Sequence, residues 1–334
     1  MSAAQASAAP PWLAAQTGTL RAVHAADRMP HALLIHESPG TGGEWLATWA
    51  AALVLCERGK AAPCGECAGC RRVPALTHPD VLWLRPQEDS RQIRVEQVRE
   101  LSAELALTSH GGGYKVGIVV PADALNRFAA NALLKTLEEP PPRTLLILVA
   151  TEPSRLPPTV LSRCQRVRIR APGRAESVAW LTAVRGKADW EAALDTLGEA
   201  PLQIVQADPA ELAAVGADTR GTLDALAAGR TDPVAAAERW VRSQLPLRLL
   251  CFENWLTERI RGGERSGALL AEMRPAPYLS EAPAFLNIRE LFGLVDEVRD
   301  LRATLDVPLN RGVALEALFR RIVPTGGVRN GVQG

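Results

Sequence analysis

The chain has 334 residues, 47% of them hydrophobic and 22% charged, with 38 Lys+Arg against 37 Asp+Glu. That length suggests two or three domains, and the apolar content excludes an intrinsically disordered chain. A net charge of +1 excludes a protein held to nucleic acid or membrane by global basicity and leaves only local basic faces. No apolar run reaches the roughly 18 residues of a membrane span. The amino-terminal MSAAQASAAPPW lacks the basic and apolar segments of a secretory signal. A soluble, cytoplasmic protein with no membrane partner is expected.

In chain order, five runs predict strands: His31–Glu37 (HALLIHE), Val81–Leu84, Lys115–Val120, Thr144–Ala150 (TLLILVA) and Gln165–Arg170. The last alternates polar and apolar residues, as a sheet edge does. Helices are predicted between them. Ile93–Ala106 carries Ile93, Val95, Val98, Leu101 and Leu105 at helical spacing. Asn126–Glu138 carries Phe128, Ala132, Leu133 and Leu137, and Pro140-Pro141-Pro142 ends it. Alternating strands and helices predict an α/β domain with a mainly parallel sheet. Beyond Ala171 the strand signals stop. Short helical patterns follow, then longer ones, including Val234–Arg261 and Phe285–Ile322. The predicted organisation is an α/β module over 1–171, a small helical unit over 172–207 and a larger all-helical domain over 208–334.

Four of the six cysteines, Cys56, Cys64, Cys67 and Cys70, fall in a C-x7-C-x2-C-x2-C pattern. Two-residue gaps let neighbouring thiolates converge on one tetrahedral ion, and the longer gap closes the loop. With no secretory signal, disulfides are disfavoured. A redox Cys-x-x-C pair is the rival reading, but it leaves two thiols without a role. Gly65 and Gly69 are expected to supply the tight turns. Four protein ligands leave no open position, so a zinc here is expected to be structural. Cys164 and Cys251 stand alone and read as packing residues.

Between the first strand and an apolar helix lies Glu37-Ser38-Pro39-Gly40-Thr41-Gly42-Gly43-Glu44, the place of a phosphate loop. Gly40 and Gly42 fit such a loop. The lysine position, however, is Gly43, the Ser/Thr position is Glu44, and the first glycine position is Glu37. The groups that hold the β/γ-phosphates and Mg²⁺ are therefore missing, and Glu44 is expected to set a carboxylate where phosphate should approach. On its own this loop also reads as a simple Gly-rich turn.

Its context gives it meaning. KVGIVVPADALNRFAANALLKTLEEPPPRTLLILVATEPSRLPPTVLSRC, from Lys115 to Cys164, resembles the clamp-loader branch of the AAA+ ATPases, most specifically in Asn131–Pro141 and Leu156–Cys164. The cysteine cluster is also a trait of bacterial members, and Leu309–Glu316 sits where the branch has a block in its collar domain. The resemblance implies an AAA+ module with an inserted zinc knuckle (56–70), a helical lid and a helical collar that oligomerises. It also marks losses. Val120 and Pro121 replace the Asp-Glu of active members, and no sensor 2 arginine stands near Gly198–Pro201. Sensor 1 is matched by Thr151.

The implied role is an ATPase-inactive stator that binds no ATP itself. Ser162-Arg163-Cys164 matches the motif whose arginine reaches the nucleotide of the next subunit. A permanent charge on a planar fork suits that task. Implied partners are gamma/tau-type ATPase subunits and a delta-type subunit, with the sliding clamp and primer-template DNA met through the complex. The chain would thus belong to a nucleotidyltransferase holoenzyme without polymerising anything. Two alternatives are an active ATPase subunit of the same branch and a zinc-knuckle nucleic-acid-binding module on an inactive scaffold.

Other candidates read more simply as structure. Glu138-Glu139 is a solvated helix end. His24, His31, His36, His78 and His110 have no metal spacing. Trp180, Trp190, Trp240 and Trp255 are core residues rather than base-stacking platforms. Arg71, Arg72, Arg91 and Arg94 are candidates for contact with a DNA backbone, with a solvated face as the default reading.

Overall fold

The computed structural model describes residues 9–59, 62–87, 90–269, 288–305 and 310–323. Its strands are β1 (Ala32–His36), β2 (Val81–Leu84), β3 (Lys115–Val119), β4 (Thr144–Ala150) and β5 (Gln165–Arg168). All five predicted strands are present, β2 and β4 with the predicted bounds and the other three trimmed by a residue or two. They form one parallel sheet of order β2-β3-β4-β1-β5. Position in the sheet explains composition. All seven residues of β4 are buried, and β1 is buried except at His36, so both read as continuous apolar runs. At the edge, β5 is exposed except for the half-buried Val167.

Around the sheet lie α1 (Ala14–Ala25), α2 (Gly43–Val54), α3 (Ala68–Arg72), α4 (Val95–Ala106), α5 (Arg127–Glu138), α6 (Pro158–Leu161) and α7 (Arg174–Arg185). Ala32 and Leu34 of β1, with Leu146, Leu148 and Ala150 of β4, share a core with Val98, Leu101 and Leu105 of α4 and Leu133 and Leu137 of α5. The side chain of Asn126 caps α5 by accepting from the Ala129 N–H at 2.8 Å. Phe128 belongs to the predicted apolar pattern of this helix, yet it is 72% exposed. The buried stripe runs through Ala129, Ala130, Leu133 and Leu137 instead, one step round the helix.

The remaining helices are α8 (Trp190–Leu197), α9 (Pro201–Ile204), α10 (Pro209–Ala227), α11 (Pro233–Arg242), α12 (Leu245–Leu269), α13 (Ile288–Ala303) and α14 (Arg311–Ile322). The helix predicted over Val234–Arg261 is therefore two. Pro246 has no N–H to give and its ring would strike the carbonyl of Arg242, so the chain breaks first, with Gln244 at φ 56°. Phe285–Ile322 also divides, into α13 and α14. Phe285 and Leu309 of the predicted patterns, and the amino-terminal Met1–Ala8, lie outside the described residues.

The chain separates into two compact units. One holds the described residues through Val184 together with Ala200–Leu202, and the other holds Arg185–Glu199 and the described residues from Gln203 onward. The stretch 172–207 is divided between them. No helix among the described residues is long and apolar enough to cross a membrane.

The helical unit is built on an aromatic cluster. Trp240 meets Phe319 edge-on at 4.8 Å and Phe252 at 6.1 Å, and all three are fully buried. Trp190 and Trp255 are also buried here, as is Trp180 in the other unit, so the tryptophans serve as core. Truncating Trp240 would remove the ring on which α11, α12 and α14 meet. Trp240→Ala should cost about 3–5 kcal/mol, read as a lowered midpoint of chemical unfolding for the helical unit.

Candidate functional site: a filled phosphate loop, a cysteine cluster and a tethered arginine

The loop Glu37–Gly42 leaves the carboxyl end of β1 and feeds α2, at the edge of the sheet where parallel α/β proteins place ligands. The first N–H groups of α2 have no partner within the helix and point towards any anion there. Glu37 fills that position. Its Oε2 accepts from the Gly42 N–H at 2.9 Å and from the Gly43 N–H at 2.6 Å. Burial raises the Glu37 pKa above its ordinary 4.5, and the two N–H bonds partly offset the rise.

Glu44 was expected to be the intruding carboxylate, but it turns aside and pairs with Arg85 at 2.6 Å. Arg85 also lies over the Trp83 ring. The carboxylate at the helix start thus comes from the first residue of the loop. A side chain on the helix's own first turn projects sideways rather than over the axis.

Gly43 is held to glycine by this arrangement. A Cβ there would lie 2.5 Å from the Glu37 carboxyl carbon and 2.7 Å from Val149. A lysine at 43 and a carboxylate in the cradle are mutually exclusive. Apolar groups cover the loop as well. Trp12 Nε1 donates to the Thr41 carbonyl at 2.7 Å, and Leu13 and Leu202 both close on Gly42. Leu202 N–H also donates to the Gly40 carbonyl at 3.1 Å.

Val120 and Pro121 follow β3 without an acid between them, as the sequence implies. Thr151, the sensor 1 match, is engaged elsewhere. Its hydroxyl donates to Asp123 Oδ2 at 2.8 Å, and the N–H groups of Thr151 and Glu152 donate to the same oxygen. Sequence reasoning missed Asp123, because nothing local links two residues 28 positions apart.

The four cysteines converge. The Sγ atoms of Cys56, Cys64, Cys67 and Cys70 all lie within 4.8 Å of one another. Cys56–Cys67 and Cys64–Cys70 are each 4.0 Å apart. Tetrahedral Zn–S bonds of about 2.3 Å require sulfurs about 3.8 Å apart, so the donor set fits such an ion with small adjustments. The Cys67 N–H points at Cys64 and the Cys70 N–H at Cys67. The backbone N–H groups of Glu66 and Cys67 pull the Cys64 thiol down to about 6, whereas burial pushes Cys70 up to about 12. A dication among them would favour the thiolate form of all four. Gly65 turns the chain at φ 76° as expected. Gly69 does something different: it sits in α3, where a Cβ would lie 2.4 Å from the Leu55 carbonyl oxygen.

Arg163 lies just past α6. Its Nη2 meets Glu138 Oε1 at 2.8 Å, and its Nη1 donates to the Thr159 carbonyl at 2.9 Å and approaches Ser162 Oγ at 3.4 Å. About a third of the side chain remains exposed (35%). Glu138 is therefore more than a solvated helix end, since it tethers Arg163 from the end of α5. Cys164 is buried and its thiol is pushed up to about 11 by burial, which fits packing. Cys251, also buried and pushed up to about 11, behaves likewise. Among the histidines, His110 pairs with Asp80 at 3.3 Å, and no histidine joins a metal-ligand group among the described residues. Arg71, Arg72, Arg91 and Arg94 are exposed.

A parallel sheet of this order, with a glycine-rich loop leading from β1 into a helix, defines a phosphate-loop-type α/β module. Residues 14–173 match the family model described as DNA polymerase III, delta subunit. Over 319 residues the chain is 35% identical to the DNA polymerase III subunit delta' of Pseudomonas aeruginosa, covering 92% of this chain and 95% of that protein. It is 40% identical over 173 residues to the subunit delta' of Escherichia coli, 52% of each chain. It is also 34% identical over 145 residues to the DNA polymerase III subunit tau of Escherichia coli, 43% of this chain and 22% of that protein. The chain belongs to the DNA polymerase III subunit delta' family.

Two outcomes follow from the geometry. Cys67→Ser should lose metal binding at the cluster, giving less than one zinc per chain by metal analysis of protein purified without chelator, where wild type should carry one. Glu37→Gln keeps an acceptor for Gly42 and Gly43 but removes the buried charge. Because the folded pKa of Glu37 is raised, its contribution to stability is fullest below 4.5 and is lost as pH rises through the raised value. The variant should therefore gain stability relative to wild type as pH climbs from 4.5 to neutrality, measured by denaturant unfolding of both proteins across that range.

Proposed function

We propose that this protein is the nucleotide-inactive stator subunit of a DNA polymerase III clamp loader, and that it lends Arg163 to the ATP site of a neighbouring subunit. One contrast carries the reading: the chain's own phosphate loop is filled by Glu37 and covered by Leu13 and Leu202, while Arg163 stays at the surface. Membership of the delta' family and the similarity to a tau subunit support an assembly with gamma/tau-type ATPase subunits and a delta-type subunit. The sliding clamp and primer-template DNA are met through that complex, in the cytoplasm. Ser162, Arg163 and Cys164 form the finger motif. The module 1–171 presents it, 172–207 acts as a lid, and the collar from 208 holds the subunits together.

The chemistry asked of Arg163 is electrostatic. As the neighbour's γ-phosphate is transferred to water, negative charge spreads over its oxygens, and a fixed guanidinium stabilises that charge more than it stabilises the ground state. The tether matters for this task. Glu138, Thr159 and Ser162 restrain a side chain that would otherwise lose much rotamer entropy on engaging phosphate. Phosphate oxygens can then replace the Glu138 carboxylate as the partner of the same fork. The cysteine cluster would hold a structural zinc through Cys56, Cys64, Cys67 and Cys70, which supplies rigidity to that segment and takes no part in ATP turnover.

Arg163→Ala should leave the reconstituted complex assembled but lower ATP turnover at the adjoining site by on the order of 10³-fold, and slow clamp loading with it. Arg163→Lys should recover only part, because a point charge cannot reproduce the planar fork. Steady-state ATPase and clamp-loading assays, with size-exclusion chromatography to verify assembly, decide the matter. Unchanged rates in an intact complex would make Arg163 an ordinary surface arginine.

A further inference from the structure

We propose that Asp123 is a positioning residue for Arg163. By tying the main chain that leaves β4 to the turn that leaves β3, it sets where the arginine stands at the opposite end of the sheet. This deepens the reading of Arg163 as a group acting on a neighbour. The effect on ATP turnover rests on that reading; the claim about how Arg163 is held does not.

Two segments of the α/β unit run the same way. One goes from the turn Ala122–Ala124 through α5 to Glu138, the other from Thr151 through the turn Pro153–Arg155 and α6 to Arg163. Each starts at the carboxyl end of a strand, β3 or β4, and ends ahead of the amino end of another, β4 or β5. The 12 residues of α5 span about 18 Å of that path. Leu133 and Leu137 of α5 share a core with Leu156, Val160 and Cys164 of the second segment. The segments are pinned to each other at both ends, and the two pins differ in kind. At the far end, Arg163 Nη2 meets Glu138 Oε1 at 2.8 Å, with the two side chains 35% and 50% exposed. A half-exposed pair of long side chains holds its geometry weakly. The Thr159 carbonyl, at 2.9 Å, belongs to the same turn as Arg163, so it steadies the side chain and not the turn. At the near end the restraint is on the backbone. Asp123 Oδ2 accepts from the Thr151 N–H at 3.2 Å, the Glu152 N–H at 2.9 Å and the Thr151 hydroxyl at 2.8 Å. Asp123 is buried, and bonds from a buried carboxylate to main-chain N–H groups are strong and directional.

The other oxygen of this carboxylate, Oδ1, is buried with no partner among the described residues. An oxygen so placed costs free energy, which a residue kept for stability alone would avoid. Asp123 is thus better accounted for as a fixed acceptor for the start of the second segment. Residues 151 and 152 are the point about which that segment would swing or slide against α5. With them held, Arg163 reaches Glu138 in one register. With them free, the arginine loses its fixed distance from a neighbour's phosphate, where a misplacement of about 1 Å can cost on the order of 10²-fold in rate.

The test has two arms. In the first, the full chain is labelled with ¹⁵N-arginine, and the Nε–H signal of Arg163 is identified by its loss in Arg163→Lys. In wild type it should relax as an anchored guanidinium does. In Asp123→Ala it should shift and sharpen, as the signal of a mobile side chain does. Asp123→Asn, whose side-chain oxygen can still accept from Thr151 and Glu152, should restore the wild-type signal. In the second arm, the reconstituted complex carrying Asp123→Ala should show kcat for ATP lowered on the order of tenfold with KM unchanged. Asp123→Asn should stay close to wild type, and Asp123→Ala should add nothing to the loss caused by Arg163→Ala. Unfolding midpoints establish that each variant is folded. If Asp123→Ala is not, Thr151→Val, which deletes one of the three bonds, takes its place and should move the Arg163 signal the same way by less. An Arg163 signal that ignores these variants would overturn the proposal. So would a loss of turnover that persists undiminished in the Arg163→Ala background. Wild-type turnover by the Arg163→Ala complex would instead remove the reading of Arg163 as a finger, and the first arm alone would then decide whether Asp123 holds it in place.

Discussion

The two backbone N–H groups that open α2 require an acceptor, and the identity of that acceptor organises the α/β unit. A working phosphate loop leaves them for a ligand. Here Glu37 takes both, and the neighbourhood conforms to it. Gly43 stays without a side chain, Glu44 turns to Arg85, and Leu13 and Leu202 close over Gly42. Each of these features is odd alone and necessary once the carboxylate is in place. Keeping a buried carboxylate costs stability at neutral pH, which the N–H bonds offset in part.

With the N–H groups of Gly42 and Gly43 satisfied by Glu37, the exposed part of Arg163 lies elsewhere in the unit. Arg163 is restrained by Glu138 and by the carbonyl of Thr159, yet keeps part of its surface open. Restraint of this kind suits a residue that must meet a phosphate at a fixed distance, because little freedom remains to be lost. The ion pair also links the two most recognisable segments of the chain, the helix ending at Glu138 and the turn ending at Cys164. A motif that reads as two separate blocks in sequence is one contact in space.

Much of the fold was legible beforehand. Strands β1 and β4 announce themselves as unbroken apolar runs because the sheet buries both their faces, and β5 alternates because it is an edge. The cysteine spacing foretold a cluster, and the sulfurs do converge. The break between α11 and α12 was also written in the chain, at Pro246, but the apolar periodicity running across it obscured the stop. Phe128 shows the limit of periodicity: apolar residues at several phases leave the buried stripe undecided until the sheet chooses among them.

The sequence by itself determined which residues stand at the loop and strand positions of a phosphate site. Lysine, hydroxyl and acids are absent from identifiable positions, and an absence needs no three-dimensional context once the loop and strand are recognised. It also determined the family, through ordered blocks that local structure preserves. What only the tertiary structure decided is which groups meet: Glu37 rather than Glu44 at the helix start, Asp123 with Thr151, and Glu138 with Arg163. Glu37 is close in sequence to its partners, but the reach of its side chain depends on how β1 presents the loop to α2. The other two pairs join residues some 25 positions apart or more and meet only once the sheet forms: Asp123 and Thr151 follow the carboxyl ends of β3 and β4, while Glu138 and Arg163 precede the amino ends of β4 and β5. Periodicity and motif spacing record which face a residue prefers and carry no information about the partner found there.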